Sequence, residues 1–369
     1  MAFSLFGKKK KDKSSGGPRY HNLEVKKVIN ETSDAITIVF KQPEEKISYK
    51  SGQFLTLILT IDGKEVRRCY SLCSSPYVDE DLAVSIKRVD KGLVSNYLND
   101  QCKAGDVIKV LEPMGTFTTE FSPSNKRHLI LFSGGSGITP MMSIIKSTLS
   151  QEADSLVSLI YANRNIDSII FHDELEKMQD HYEGRLHVIH ILDDAPMNWQ
   201  GYSGLLNQEL LKKLFERIPN WGYDKTTYLM CGPEGMMKNV ESLLKLENIP
   251  SENVFKESFV QGIIDKGEDK DSKKKDDKKQ HEVLIHYDGE DYQINVKPGN
   301  SILESALDQG VDLPYSCQSG LCTACRCKKI KGEMRMSEEE GLSEAEIKDG
   351  YVLICVGHPL SDDLELEVG

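Results

Sequence analysis

The chain has 369 residues, 39% of them hydrophobic and 28% charged, enough for two or three domains with cores of their own, and no stretch approaches the roughly 20 apolar residues of a membrane-spanning helix. Its formal charge is −12 and the acidity is local: residues 281–369 hold 18 Asp and Glu against 7 Lys and Arg, a net of −11, a surface that repels nucleic acid and either steers a basic protein partner or serves solubility alone. Nine cysteines, an odd number, and an opening "MAFSLFGKKKKDK" whose charges follow a short apolar run, argue against a signal peptide, a membrane anchor and a disulfide framework, and for a reducing, cytoplasmic setting.

Residues 1–19 read as a disordered basic lead. From 20 to 122 the segments "LEVKKVI", "AITIVFK", "FLTLILTI", "VRRCYSLC", "LAVSIKRV" and "DVIKVLEP" alternate at strand period, with Asp62-Gly63 as a hairpin turn and one short helix at 95–101. Many short strands predict a closed antiparallel β-barrel. From 123 to 263 the rhythm becomes apolar strand, turn, helix, which predicts an α/β domain on a parallel sheet. Residues 264–280, "IDKGEDKDSKKKDDKKQ", form a charged linker with almost nothing to bury, spanning about 23 Å root mean square as a random coil. The last block, 281–369, reads strand, turn, strand ("EVLIHYDGEDYQINV"), helix ("SILESALDQG"), a cysteine loop and then "YVLICVGHP", a small α+β unit in which a mixed sheet clasps one helix.

Four stretches carry chemistry. In "RRCYSLCSSP", Arg68, Tyr70 and Ser71 suit a flavin site, as phosphate partner, ring neighbour and hydrogen-bond donor, though an edge strand with a surface arginine reads the same way. Gly92 to Ser95 open a helix after a strand, where free N–H groups receive a pyrophosphate or where Ser95 is a plain N-cap. "LILFSGGSGITPMMSII" runs a buried strand into Gly134-Gly135-Ser136-Gly137 and a helix, an arrangement for a diphosphate that is not the G-x-G-x-x-G fingerprint. "MCGPEGMMKNV" repeats the arrangement, with Cys231 and Gly232 at the carboxyl edge of the sheet or Cys231 as a core thiol. Finally, Cys317, Cys322 and Cys325 have the spacing C-x4-C-x2-C, with Cys355 after a later apolar strand. That is plant-type iron–sulfur spacing rather than zinc spacing. Cys327 reads as a strand residue behind the loop.

In this order "RCYS", "GLVSNYL", "GGSGITPM", "YANR", "CGPEGMM" and the cysteines resemble the ferredoxin-NADP reductase superfamily carrying a C-terminal plant-type ferredoxin domain; "IKRV" and "PMGTF" are similar to the phenylacetyl-CoA epoxidase reductase group within it. The resemblance implies FAD on the barrel, NADPH or NADH on the parallel sheet and a [2Fe-2S] cluster in a β-grasp ferredoxin domain. FMN is disfavoured because the helix start at 92–95 suits a longer diphosphate. It further implies that Arg68, Tyr70 and Ser71 meet the flavin and that Gly92, Val94 and Ser95 hold the FAD diphosphate. Gly134, Gly135, Gly137, Thr139 and Pro140 then form the pyridine-nucleotide loop, with Cys231, Gly232 and Pro233 near the nicotinamide and Arg164 at the adenosine ribose or its 2′-phosphate. Glu257 and Phe259 of "KESF" close over the flavin, Ser71 and Glu257 being the catalytic groups that tune or protonate it. Cys317, Cys322, Cys325 and Cys355 are the cluster ligands. Where relatives carry Gly-Arg this chain has "GYSGLL" with Leu205, which leaves the choice of NADPH or NADH open.

The implied activity is an NAD(P)H-dependent oxidoreductase. A nicotinamide gives a hydride and an iron–sulfur cluster takes single electrons, so a flavin between them stores the pair and releases it stepwise. The expected acceptor is a terminal oxygenase, first the phenylacetyl-CoA epoxidase, docking on the ferredoxin domain. A desaturase, a hybrid-cluster protein, or a non-catalytic electron-carrier module are the other readings.

Overall fold

In the computed structural model, which describes residues 19–218, 225–259, 279–318, 320, 322–337 and 341–368, the alternating segments at the start of the chain pair into one antiparallel sheet. Its strands are β1 (Tyr20–Thr32), β2 (Ala35–Phe40), β3 (Phe54–Ile61), β4 (Lys64–Ser71), β5 (Leu82–Lys87) and β6 (Val107–Met114), in the order β4-β3-β6-β1-β2-β5. The outer strands β4 and β5 meet through a bridge between Leu72 and Val84, which curls the sheet into a barrel. Leu23, Ile38, Phe40, Leu55 and Leu57 fill it, each contributing about 1.5–3 kcal/mol by leaving water. Helix α1 (Leu93–Gln101) covers one end with Val94 and Leu98. It starts two residues before the predicted 95–101, and its N-cap is Gly92. Ser95 is therefore not the N-cap; it sits in the first turn and its Oγ accepts from the Val89 N–H at 3.2 Å.

The second block alternates as its rhythm requires: β7 (His128–Gly134), α2 (Ile138–Gln151), β8 (Leu156–Asn163), α3 (His172–His181), β9 (Leu186–Leu192), β10 (Tyr202–Ser203), α4 (Gln208–Phe215), β11 (Thr226–Cys231), α5 (Glu234–Leu246) and β12 (Val254–Glu257). All pairings in the order β10-β9-β8-β7-β11-β12 are parallel. Helices α2 and α3 cover one face and α4 and α5 the other. Strand order reverses at β7, with β8 to one side and β11 to the other, so the crevice beyond their carboxyl ends is the place where such sheets receive ligands.

Barrel and nucleotide sheet share a core. Cys73 and Phe117 pack in one cluster with Leu131, Ile144 and Tyr161. Buried hydroxyls stitch the seam, Ser147 Oγ lying 2.5 Å from Ser51 Oγ and 2.7 Å from Ser75 Oγ. Arg127 and Glu152, exposed by only 4% and 0%, form a bidentate buried pair, and Arg127 also donates to Thr119 Oγ1 and to the Glu120 carbonyl.

The last block contains β13 (His281–Tyr287), β14 (Glu290–Val296), α6 (Ile302–Asp308), β15 (Arg326–Lys331), β16 (Met334–Met336), α7 (Glu344–Lys348), β17 (Tyr351–Leu353), β18 (Gly357–Pro359) and β19 (Leu364–Val368). The main sheet runs β14-β13-β19-β15-β17, mixed in direction, with α6 laid against its apolar face. The segment "YVLICVGHP" holds two strands, with Cys355 just past the first: β17 joins the main sheet and β18 pairs with β16. Between them the chain turns so that Cys355 is buried and the Ile354 N–H donates to the Cys325 carbonyl at 3.3 Å. Residues 1–18 and most of the predicted linker lie outside the described residues. Among those described, no helix is long and apolar enough to cross a membrane.

Candidate redox site

At the switch point the ends of three strands bring their side chains into line. Register pairs Cys231 of β11 with Ser133 of β7 on one side and with Glu257 of β12 on the other. The barrel reaches into this row: Ser71, the last residue of β4 and buried, donates from Oγ to Glu257 Oε2 at 3.0 Å. Loss of water around Glu257 raises its carboxyl to about 8, against which the Ser71 hydrogen bond works in the opposite sense. Burial, helped by the nearby Glu257, pushes the Cys231 thiol well up, so it stays an uncharged, inert S–H.

Beside the row lies a cradle built from missing side chains. A Cβ on Gly137 would sit 2.0 Å from the Cys231 carbonyl oxygen, and one on Gly134 would meet Pro233 Cδ at 2.6 Å and Met236 Sδ at 2.9 Å. Only glycine lets the 134–137 loop and the 231–233 loop approach this closely. The loop feeds α2, whose first-turn N–H groups have no partner within the helix; Thr139 and Pro140 are buried there, and Thr139 Oγ1 donates to the Ser136 carbonyl at 3.0 Å. Ser133 Oγ, Ser258 Oγ and the Asn163 side-chain amide are buried without a hydrogen-bond partner among the described residues. Orphaned polar atoms at strand ends around a glycine cradle fit a dinucleotide that carries amide and diphosphate groups. Arg164, one residue beyond β8, is exposed and near Asp193. Leu205 is 70% exposed beyond β10. Phe259 packs against the shared core.

On the barrel, alternation along β4 puts Arg68 and Tyr70 on one face and Arg67, Cys69 and Ser71 on the other. Tyr70 lies against the barrel core, where burial holds its hydroxyl protonated. Arg68 is exposed; its Nη1 donates to the Arg67 carbonyl at 2.7 Å, and among the described residues its guanidinium has no carboxylate partner. That leaves it available to an anionic ligand. The Gly92 turn is tight as well, since a Cβ there would lie 2.6 Å from Ser95 Oγ.

The four cysteines nominated by spacing converge in the last block. Cys317 lies within hydrogen-bonding reach of both Cys322 and Cys355, and Cys355 within reach of Cys325. These contacts and burial push the Cys322 and Cys355 thiols up. Four converging sulfurs are the donor set of a thiolate-held iron–sulfur group. Cys327, buried in β15 with its thiol directed at the Cys325 carbonyl at 3.5 Å, is the strand residue behind the loop. Sequence reasoning singled out neither Ser133 nor Cys69; the period-2 pattern of β7 and β4 carried the signal for which way each points.

Comparison with known proteins matches this arrangement segment by segment. Models of an oxidoreductase FAD-binding domain, an oxidoreductase NAD-binding domain and a 2Fe-2S iron-sulfur cluster binding domain match residues 21–119, 131–242 and 285–360. The chain is 34% identical to a subunit of the 1,2-phenylacetyl-CoA epoxidase of Escherichia coli (strain K12), over 94% of this chain and 97% of that one. It is 35% identical to the ferredoxin reductase component of 3-ketosteroid-9-alpha-monooxygenase of Rhodococcus rhodochrous, over 95% and 97%. It is 30% identical to the glycine betaine monooxygenase reductase subunit of Chromohalobacter salexigens, over 92% and 94%. Among solved structures, phthalate dioxygenase reductase shares the fold at a TM-score of 0.58 and 23% identity, covering 95% of this chain and 98% of that one. With the barrel, the parallel sheet and the cysteine domain in this order and relatives matched nearly end to end, the chain belongs to the ferredoxin-NADP reductase-like family of oxidoreductases built from FAD-binding, NAD-binding and [2Fe-2S] ferredoxin domains.

Proposed function

We propose that this chain is the reductase of an oxygenase system, taking a hydride from NADPH or NADH and passing the electrons on singly to a separate terminal oxygenase. The observation that carries the reading is the meeting of Ser71 and Glu257 across the seam between the FAD-type barrel and the nucleotide sheet. When bound, the flavin supplies the storage of an electron pair and the cluster its release one electron at a time. The chain supplies placement and proton control. Glu257, raised to about 8, holds its proton near neutral pH, and Ser71 fixes the orientation of Oε2. A neutral acid at the seam has a proton to give, and the carboxylate it would leave is the form that the Ser71 hydroxyl hydrogen-bonds. Arg68 and the Gly92–Ser95 turn would receive the FAD phosphates, the Gly134–Gly137 and Cys231–Pro233 loops the pyridine nucleotide, and Arg164 its ribose end. Cys317, Cys322, Cys325 and Cys355 would hold the iron.

We assign functional units at 20–122, 123–263 and 281–369. The relative at 34% identity supports phenylacetyl-CoA epoxidase as acceptor, and the steroid and glycine betaine oxygenase reductases at similar identity define the competing acceptors. The acidic last block, net −11, suits docking of a basic acceptor surface on the ferredoxin domain. The odd number of cysteines, four of them bunched at ligand spacing, supports a cytoplasmic location. The test is cofactor analysis and reconstitution: one FAD and two irons per chain, both bleached by NADPH or NADH, with substrate turnover when epoxidase subunits are added. Turnover with another of the three oxygenases and none with the epoxidase reassigns the acceptor. A chain that binds flavin but never oxidises the nucleotide overturns the reading.

A further inference from the structure

The face of β4 that carries Ser71 continues, two residues back, to Cys69 and then to Arg67. At the Ser71 end this face meets the nucleotide domain through Glu257. At the other end it meets the cysteine domain. Cys69 Sγ lies 2.9 Å from Ser316 Oγ and within hydrogen-bonding reach of Cys322, one of the four converging cysteines. The Arg67 guanidinium stands 4.1 Å over the Tyr315 ring, and Tyr20, beside Arg67 on the barrel, donates from its hydroxyl to Asp312 Oδ2 at 3.3 Å. Lys109 adds a second cation, 4.4 Å over the Tyr20 ring.

Three features distinguish this contact from incidental packing. It falls on the residues immediately before the cysteine loop, Asp312 to Ser316, and Ser316, next to Cys317, is only 4% exposed. Its chemistry is complementary: Arg67, held by its ion pair with Glu65, offers its guanidinium face to Tyr315, and Tyr20, under the Lys109 cation, donates to Asp312 on a domain of net charge −11. And it lies on the strand that also bears the flavin motif: at about 3.3 Å per residue, Cys69 is about 7 Å along the strand from Ser71.

We propose that the Arg67–Cys69 stretch of β4, with Tyr20, is the docking surface for the chain's own [2Fe-2S] domain in its electron-receiving arrangement, with Arg67 and Cys69 as positioning residues that hold the cysteine loop against the flavin-bearing strand. This deepens the proposed function and rests on it. With both groups bound, the flavin would supply electrons and the cluster would receive them singly, so the pair from one NAD(P)H would cross in two passages and the flavin N–H gained with the hydride would give up one proton; Arg67, Cys69 and Tyr20 hold the cysteine loop in place for it.

The experiment uses the holoenzyme and separates two events. Stopped-flow absorbance reads flavin bleaching by NADPH, which reports the proposed function, and cluster bleaching, which reports docking. Arg67→Ala and Cys69→Val are expected to leave the flavin rate within about twofold and to slow the cluster rate at least tenfold. Arg67→Lys, which keeps a cation over Tyr315, is expected to restore it. Small-angle scattering of Arg67→Ala is expected to give a larger radius of gyration at equal cofactor content. Independently, Ser316→Cys places a thiol against Cys69, and mild oxidation is expected to give a 69–316 disulfide-linked peptide by mass spectrometry. Unchanged cluster bleaching in both Arg67→Ala and Cys69→Val, or no linked peptide from Ser316→Cys, overturns the proposal.

Discussion

Replacing Glu257 by glutamine removes a group that resists ionisation in the fold. An ordinary glutamate titrates near 4.5 and this one near 8, so forcing its ionisation in the native state costs about 5 kcal/mol at 1.36 kcal/mol per pH unit of displacement. The sign follows from proton counting. Near pH 4 the side chain is neutral in both folded and unfolded chains and contributes no difference. Between 4.5 and about 8 only the unfolded chain ionises, so the native state loses relative stability as pH rises, by about 3 kcal/mol at pH 7 and levelling near 5 above pH 8. Glu257→Gln is neutral throughout, and its amide oxygen still accepts from Ser71. The variant should therefore match the wild type at pH 5 within about 1 kcal/mol and exceed it by about 3 kcal/mol at pH 7, roughly 6–12 °C in melting temperature for a unit of this size. Thermal release of flavin fluorescence from the holoenzymes at pH 5, 7 and 9 measures this. Melting curves that stay parallel over that range would refute the reasoning, because they would mean that the carboxylate is already ionised and solvated in the fold.

Cys322→Ser should retain NADPH oxidation with a dye that accepts from flavin and lose cytochrome reduction; retained cytochrome reduction would mean that electrons bypass the cysteine domain. Glu152→Ala leaves Arg127 charged and buried, and should cost about 3–5 kcal/mol in urea unfolding, while the double replacement Arg127→Met with Glu152→Leu should recover most of it. Gly137→Ala drives a methyl to 2.0 Å from the Cys231 carbonyl, so the two loops must part. Nucleotide KM should rise at least tenfold with flavin content unchanged, and dithionite should still bleach both chromophores.

What was legible in the sequence was what is local in it. Cys317, Cys322 and Cys325 sit within one loop, so their spacing alone announced soft-metal chemistry. The Gly134–Gly137 turn was readable because strand, glycines and helix are contiguous. The Ser71–Glu257 hydrogen bond joins residues 186 positions apart, and only the resemblance, not the residue pattern, put the two near one another. The end of the apolar strand before Cys355 was legible, but β18 beyond it was not, because the turn between them answers a tertiary demand, burial of Cys355 beside Cys325. Strand β19 went unmarked although "LELEV" alternates, because its value is tertiary: it sits in the middle of the sheet between β13 and β15.

The arrangement of β4 turns on the parity of a strand. Arg68 and Tyr70 share one face and Arg67, Cys69 and Ser71 the other, so a one-residue slip of β4 against β3 would exchange the Arg68–Tyr70 face for the face that meets Glu257 and the cysteine loop. Pairing along the whole strand, from Phe54 with Ser71 to Ile61 with Lys64, fixes that register. One short strand thus presents Arg68 and Tyr70, the residues proposed for the flavin, to one side and, on the other, two contacts about 7 Å apart, one to Glu257 of the nucleotide sheet and one to Ser316 of the cysteine domain. Relative placement of the three units is set by backbone geometry, which is why four adjacent residues, Arg68 to Ser71, can serve all of them.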